Sequence, residues 1–168
     1  SNGRKVGMDT TMCTLDEAVA AAAASSAEIG VGADCSRGGT QGRGGFFPRG
    51  DEGAVVVVTS TYNGRAPDNA VKFSKWVGTP AAAAALAGVR VAVFGVGNSQ
   101  WSATYLGFGK QLLQKMAGAG AVPMLKAMGE ADVDKGQEDW EMARWQTKLL
   151  GAVLEANGLP VPDALSAG

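Results

Sequence analysis

The chain has 168 residues, 15 Lys+Arg against 16 Asp+Glu for a net charge of −1, no histidine, and two cysteines, Cys13 and Cys35. So flat a charge balance argues against a nucleic-acid binder or a polybasic membrane binder. The lack of histidine removes Ser-His-Asp and Cys-His catalysis, imidazole metal sites and a His-ligated haem, and two thiols make neither a zinc cluster nor a disulfide framework.

In chain order, residues 4–14 read as a strand. LDEAVAAAAA (15–24) reads as a short helix, because Ala is the best helix former and Asp16 and Glu17 suit a helix start. From Ser25 to Gly45 the composition turns to Gly, Ser and Ala, ending in SRGGTQGRGG. That is an insertion or loose loop with no reason to pack. Phe46, Phe47 and Pro48 lead into AVVVVTS (54–60), a continuous β-branched run suited to a strand covered on both faces. TYNGRAPD follows as a loop, with Asn63-Gly64 and Pro67 as breakers. Asp68 or Asn69 caps a helix over 69–77, with Ala70, Phe73 and Val77 on one face. Residues 78–88 form a Gly/Pro/Ala connector.

VRVAVFG (89–95) is a second buried strand and VGNSQWSATY a second loop. A helix over 105–118 carries Phe108, Leu112 and Met116 at a spacing of four. AVPMLKAMG (121–129) is a third strand. The last helix, 137–156, has an apolar stripe of Met142, Trp145, Leu149, Ala152 and Ala156, and Asn157-Gly158 followed by Pro160 ends it. Trp76, Trp140 and Trp145 fall on helical faces and read as mostly core. No apolar run reaches the ~18–20 residues that a membrane span needs.

Strand, loop, helix, three times over, is an α/β pattern and implies a parallel sheet with right-handed crossovers. In such sheets ligands bind outside the carboxyl ends of the strands, here at loops 59–69, 95–105 and 129–137. The first carries Tyr62 beside Asn63-Gly64, and the second carries Trp101 among Gly95, Gly97, Asn98 and Ser99. Two aromatics on glycine-bearing loops at one sheet edge can face each other across a slot for a flat ring. Taken alone, loop aromatics serve more often as packing anchors. The third loop opens an acidic cluster of Glu130, Asp132, Asp134, Glu138, Asp139 and Glu141, with Lys135 among them. It reads as a solvated face with favourable charges at a helix start, or as a docking patch for a basic partner.

VVVVTSTYNGRAPDNAVKFSKWV, GVRVAVFGVGNSQWSATY, and the GEAD and EDWEMARWQ segments resemble the flavodoxin-like FMN domain of the diflavin reductases. These are the NADPH–haemoprotein reductases that serve cytochrome P-450, with relatives in nitric oxide synthase and sulfite reductase. The Tyr-Asn-Gly-x-x-Pro-Asp-Asn version is most similar to the monooxygenase-fused type. The resemblance covers about residues 46–158 and implies a three-layer, doubly wound parallel α/β sheet. It implies that Tyr62 stacks on one face of the FMN ring system and Trp101 on the other. Thr59, Ser60, Thr61, Asn63 and Gly64 then line the redox-active edge, and backbone groups of Gly95, Val96, Gly97 and Asn98 meet the pyrimidine edge. Asp132 sits nearby as a supporting acid. No catalytic residue and no metal ligand is implied. The implied function is single-electron transfer in the cytoplasm, from an FAD/NADPH-binding reductase domain to a haem protein such as cytochrome P-450. Whether the chain is an enzyme stays open; the resemblance implies a part of an NADPH–haemoprotein reductase, expected not to be competent alone.

The resembled fold begins with a strand, a Ser/Thr-rich phosphate loop and a helix, and nothing before residue 46 supplies these. Residues 4–16 look like its second strand and the turn after it. The expected organisation is a remnant second strand and turn (1–17), an Ala/Gly-rich insertion (18–45), the FMN-binding domain (46–158) and a tail or linker (159–168). Ser36, Gly39 and Thr40 imitate part of a phosphate loop but precede no helix. FMN binding is therefore expected to be weak or lost. The alternative is a truncated, non-enzymatic remnant of the same fold.

Overall fold

The computed structural model of the chain describes residues 10–27 and 46–166. The first element is helix α1, Leu15–Ala27. It opens on a capping box: the Glu17 amide donates to Thr14 Oγ1 (3.2 Å) and the Thr14 amide to Glu17 Oε2 (2.7 Å). The Thr14 hydrogen bonds hold the Glu17 carboxyl below its ordinary range. Residues 10–14 carry no regular structure, so the expected strand over 4–14 does not form there; 4–9 lie outside the described residues. The expected insertion is also corrected. Residues 18–27 are helix, and Ala18 and Ala22 are buried in the main core. The rest of that stretch, with Cys35 and the loop at Ser36, Gly39 and Thr40, lies outside the described residues.

Strand β1, Val55–Ser60, pairs in parallel with β2, Arg90–Gly97, from Val55↔Val91 to Ser60↔Val96. β2 carries two short strands on its other side: β3, Val122–Pro123, and β4, Gly129–Asp132. The expected single strand over 121–129 is thus split. The amides of Val122 and Met124 bond Val89 O (2.8 Å) and Val91 O (2.9 Å), and strand pairing then resumes at Phe94↔Gly129. GEAD is strand, not loop.

Helices cover both faces, giving the three-layer α/β arrangement. On one face Val57, Val91 and Val93 pack with α1, with α2 (Val71–Trp76), with α3 (Pro80–Leu86) and with Phe108, Leu112 and Met116 of α4 (Gly107–Gly118). On the other, Ala92, Phe94 and Ala131 meet Trp145 and Leu149 of α5 (Glu138–Ala156). The Phe94 and Trp145 rings lie 5.2 Å apart at 57°. Gly129 passes so close beneath them that a Cβ there would run into both rings. β1 is covered on one face only: Val57 is buried, whereas Val56 and Val58 are exposed, against the expectation of a strand covered on both faces.

The helix of 69–77 starts with a 3₁₀ turn, Asp68–Ala70, and its cap is neither Asp68 nor Asn69. Asp16 of α1 reaches across and accepts from the Phe73 amide at 2.9 Å. A carboxylate there satisfies one of the orphan amides at the start of α2 and meets the positive end of the helix. Asp16→Ala should lower stability by about 1 kcal/mol in urea unfolding, with Asp16→Asn retaining most of it; equal midpoints for all three proteins would refute this cap.

The connector at 78–88 holds α3. Thr79 caps it, accepting from the Ala82 amide (3.3 Å), and Pro80 takes the first helical position. α5 ends as expected. Leu159 N–H bonds Leu154 O (2.9 Å) and Gly158 N–H bonds Glu155 O (3.0 Å), with Gly158 at φ 66°. The expected tail folds back as a short turn, α6 (Asp163–Ser166), against α5. Of the tryptophans expected in the core, Trp145 is buried and Trp76 stacks on Phe47 at 5.8 Å. Trp140 is exposed, with Arg144 5.4 Å from its ring centre.

Candidate functional site

β1 and β2 run in the same direction and in register, Thr59 beside Gly95 and Ser60 beside Val96, so their C-terminal loops emerge side by side. Thr59 is buried. Thr61 Oγ1 accepts from the Phe108 amide (3.2 Å), capping α4 from outside, where the preceding residue, Leu106, is left-handed (φ 56°) and supplies no cap. The chain then reverses. Tyr62 and Arg65 exchange two backbone hydrogen bonds (3.1 and 2.8 Å), and Asn63 and Gly64 between them take φ 48° and 76°. Positive φ at both central residues is what an Asn-Gly hairpin turn requires. Gly64 lies close under Thr104, and a Cβ on Gly107 would be 3.5 Å from Gly64 Cα.

Gly95, Val96 and Gly97 are the last residues of β2 rather than part of the loop that follows. Their lack of bulk has a use. A Cβ on Gly95 would meet Met128 and Leu106, and one on Gly97 would meet Tyr105 and Leu106 at about 3.0 Å. Asn98 then starts a 3₁₀ segment, Ser99–Thr104, its side chain accepting from the Gln100 amide at 2.9 Å. Trp101 sits at a kink in that segment (φ −97°, ψ 56°).

Asp132, at the end of β4, is buried and ties the second and third loops together. Its Oδ1 accepts from the amides of Ser99 (3.0 Å) and Asp134 (3.2 Å), and its Oδ2 lies 3.5 Å from Lys135 Nζ. Hydrogen bonding by Ser99, then by Asp134, and the Lys135 charge hold its carboxyl below the usual range against the opposing effect of burial. Asp134 bonds Gln100, and Glu130 pairs with Lys110 at 3.8 Å. Part of the acidic cluster is thus spent on fixing the loop that bears Trp101, which leaves Glu138, Asp139 and Glu141 on α5.

Tyr62 is 72% and Trp101 68% exposed, so neither is a packing anchor. They stand at the ends of adjacent strands, each on its own turn. Two open grooves flank the region: one of about 460 Å³ between α2 and α4 beside Gly64, one of about 540 Å³ over Trp145 and residues 125–130. Neither is lined by the two aromatics. Tyr105 is a neighbour that the sequence did not single out. Burial first, then the charges of Asp132, Glu130 and Glu141, push its hydroxyl pKa up, and Lys110 sits 5.5 Å from its ring centre. Its only sequence signal is the adjacent Gly97, which gives its ring room.

Among the described residues, no helix is long and apolar enough to cross a membrane. The Flavodoxin family model matches residues 50–145. Bifunctional cytochrome P450/NADPH–P450 reductase 2 of Bacillus subtilis is 40% identical over 103 residues, covering 59% of this chain and 10% of its own length. Reductase 1 of the same description and organism is 38% identical over 110 residues, covering 63% and 10%. The chain therefore spans about a tenth of the length of these curated relatives. Among solved structures, a cysteine-to-serine mutant of flavodoxin from Pseudomonas aeruginosa aligns at a TM-score of 0.44 and 26% identity, over 54% of this chain and 63% of that one. The family match takes in β1, β2, β4 and all three strand-end loops, and on that match the chain belongs to the flavodoxin family.

Proposed function

We propose that this chain is the ring-binding part of an FMN electron-transfer domain. The observation that carries the reading is the pair of exposed aromatics, Tyr62 and Trp101, held on separate turns at the ends of two register-locked strands. Tyr62 covers one face of the flavin and Trp101 the other. Thr59, Ser60, Thr61, Asn63 and Gly64 border its redox-active edge, and the backbone of Gly95, Val96, Gly97 and Asn98 supplies polar groups to its pyrimidine edge. Asp132 positions Trp101 through Ser99. When bound, FMN supplies one-electron chemistry, and the protein stacks, orients and tunes it without acid–base work of its own. The names of the relatives, cytochrome P450 joined to NADPH–P450 reductase, support an FAD/NADPH-binding reductase domain as donor and a haem protein as acceptor. The setting is cytoplasmic, and the charges of α5 dock the partner.

The phosphate end has no assigned partner among the described residues, so affinity rests on the ring. FMN and riboflavin should then quench with equal, weak affinity, agreeing within about threefold, because each charge-assisted phosphate contact would otherwise add ~1.5–3 kcal/mol. Flavin fluorescence titration with both compounds tests this. FMN binding tenfold or more tighter than riboflavin would reveal a phosphate site. No quenching by either would favour the alternative, a non-enzymatic remnant that binds little or no FMN.

A further inference from the structure

The dipeptide Asn-Gly occurs three times in the chain, at 2–3, 63–64 and 157–158. The first lies outside the described residues. Asn63 and Asn157 are both exposed, yet their reactive atoms are held very differently. At the end of α5, Asn157 Nδ2 donates to Val153 O (2.7 Å), its Oδ1 accepts from Arg90 Nη1 (3.4 Å), and the Gly158 amide donates to Glu155 O (3.0 Å). In the hairpin after β1, Tyr62 and Arg65 close the turn with their own backbone groups. Among the described residues, nothing bonds the Asn63 side chain or the Gly64 amide.

An asparagine followed by glycine can cyclise, because glycine has no side chain to hinder the approach of its amide nitrogen. The Gly64 nitrogen gives its proton to hydroxide and attacks Asn63 Cγ. The N–Cγ bond forms, the Cγ–Nδ2 bond breaks, and Nδ2 takes up a proton and leaves as ammonia. Water then opens the five-membered imide. Opening at Cγ leaves aspartate; opening at the backbone carbonyl leaves isoaspartate, with Cγ as the new main-chain link. No oxidant or reductant is consumed. Nucleophile and electrophile must both be free to turn toward each other. At 157–158 each donates to a helix carbonyl, and both bonds must break first. At 63–64 the two hydrogen bonds of the turn flank the reacting atoms and use neither of them.

We propose that Asn63 is a site of spontaneous deamidation, which replaces the neutral amide beside Tyr62 by a carboxylate, and that Asn157 is protected by its hydrogen bonds. The purified chain is held in mildly alkaline buffer, folded and in concentrated urea, and sampled over time by tryptic mass spectrometry. Residues 1–4, 50–65 and 149–168 fall in separate tryptic peptides, so the three Asn-Gly sites are read independently. In the folded chain Asn63 should convert about tenfold faster than Asn157 or more, since two hydrogen bonds oppose the reaction at Asn157. In urea the same dipeptide is free at both places, and the two rates should agree within about threefold, the spread that residual structure allows. Equal rates in the folded chain, a faster Asn157, or an Asn63 that stays intact while the unfolded chain converts would each overturn the proposal. So would a tenfold difference that persists in urea, because the hydrogen bonds could not then be its cause.

Discussion

The Gly129→Ala protein should lose about 3 kcal/mol of stability, the upper part of the range for a methyl forced into a filled core. The glycine lies in β4, where Phe94 of β2 and Trp145 of α5 leave no room for a Cβ. Both rings are buried, so neither can swing aside into solvent. Any relief must come from lifting α5 off the sheet, and α5 is what covers this face. Gly118→Ala is the matching control: it lies at the end of α4 with nothing near an added Cβ. That change should be neutral or stabilising by up to about 1 kcal/mol, because alanine has less backbone freedom to lose. Urea unfolding of the three proteins measures both effects. A Gly129→Ala midpoint equal to that of the parent chain would mean that the packing of Phe94, Trp145 and β4 is not as described.

Truncating the exposed aromatics should have its large effect on flavin and almost none on folding. Trp101→Ala should weaken riboflavin binding about tenfold or more, on the ~1–3 kcal/mol that aromatic stacking of a flat base is worth. Tyr62→Ala should act similarly. Trp101→Phe, which keeps a ring, should retain most of the affinity. Since the two rings are assigned to opposite faces of one ligand and so share a partner, the double variant should bind more weakly than either single variant, with a loss that departs from the product of the two. Fluorescence titration supplies the constants, and thermal unfolding without flavin supplies the control. Both side chains are mostly solvent-exposed, so unfolding should be unchanged. Unaltered binding in both single variants would remove the observation on which the proposed function stands.

The long periodic elements were legible from sequence. Phe108, Leu112 and Met116 are buried along α4, as are Trp145 and Leu149 along α5, because a repeat near 3.6 that faces an apolar sheet has few other uses. Ala156, the last residue assigned to the α5 stripe, is exposed, since the helix outruns the sheet beneath it. β2 was legible as a buried run, but its end was not. The strand is expected to end at Gly95 with Gly97 in the loop, whereas both are strand positions kept small for Met128, Leu106 and Tyr105. α3 was missed although Thr79-Pro80 is a helix-start signal, because the alanine run after it was read as connector. Capping box Thr14–Glu17 was equally readable and equally missed. The cap that Asp16 gives α2 was not readable at all, since it joins residues 57 positions apart. In the site, the Asn63-Gly64 turn follows directly from its dipeptide. The grip of Asp132 on Ser99 depends on β4 pairing with β2, a tertiary fact that no local pattern encodes.

The contact of Gly64 with Gly107 bears on how the domain could diversify. Tyr62 rides on a hairpin whose base rests against the first turn of α4, and the Thr61 hydroxyl anchors it there. The helix start therefore works as a spacer beneath the hairpin. An alanine at position 107 would meet Gly64 Cα at an ordinary contact distance, so only a side chain longer than a methyl should press on the hairpin. On the proposed flavin reading, such a residue would change the placing of Tyr62 from a position that never touches the ligand.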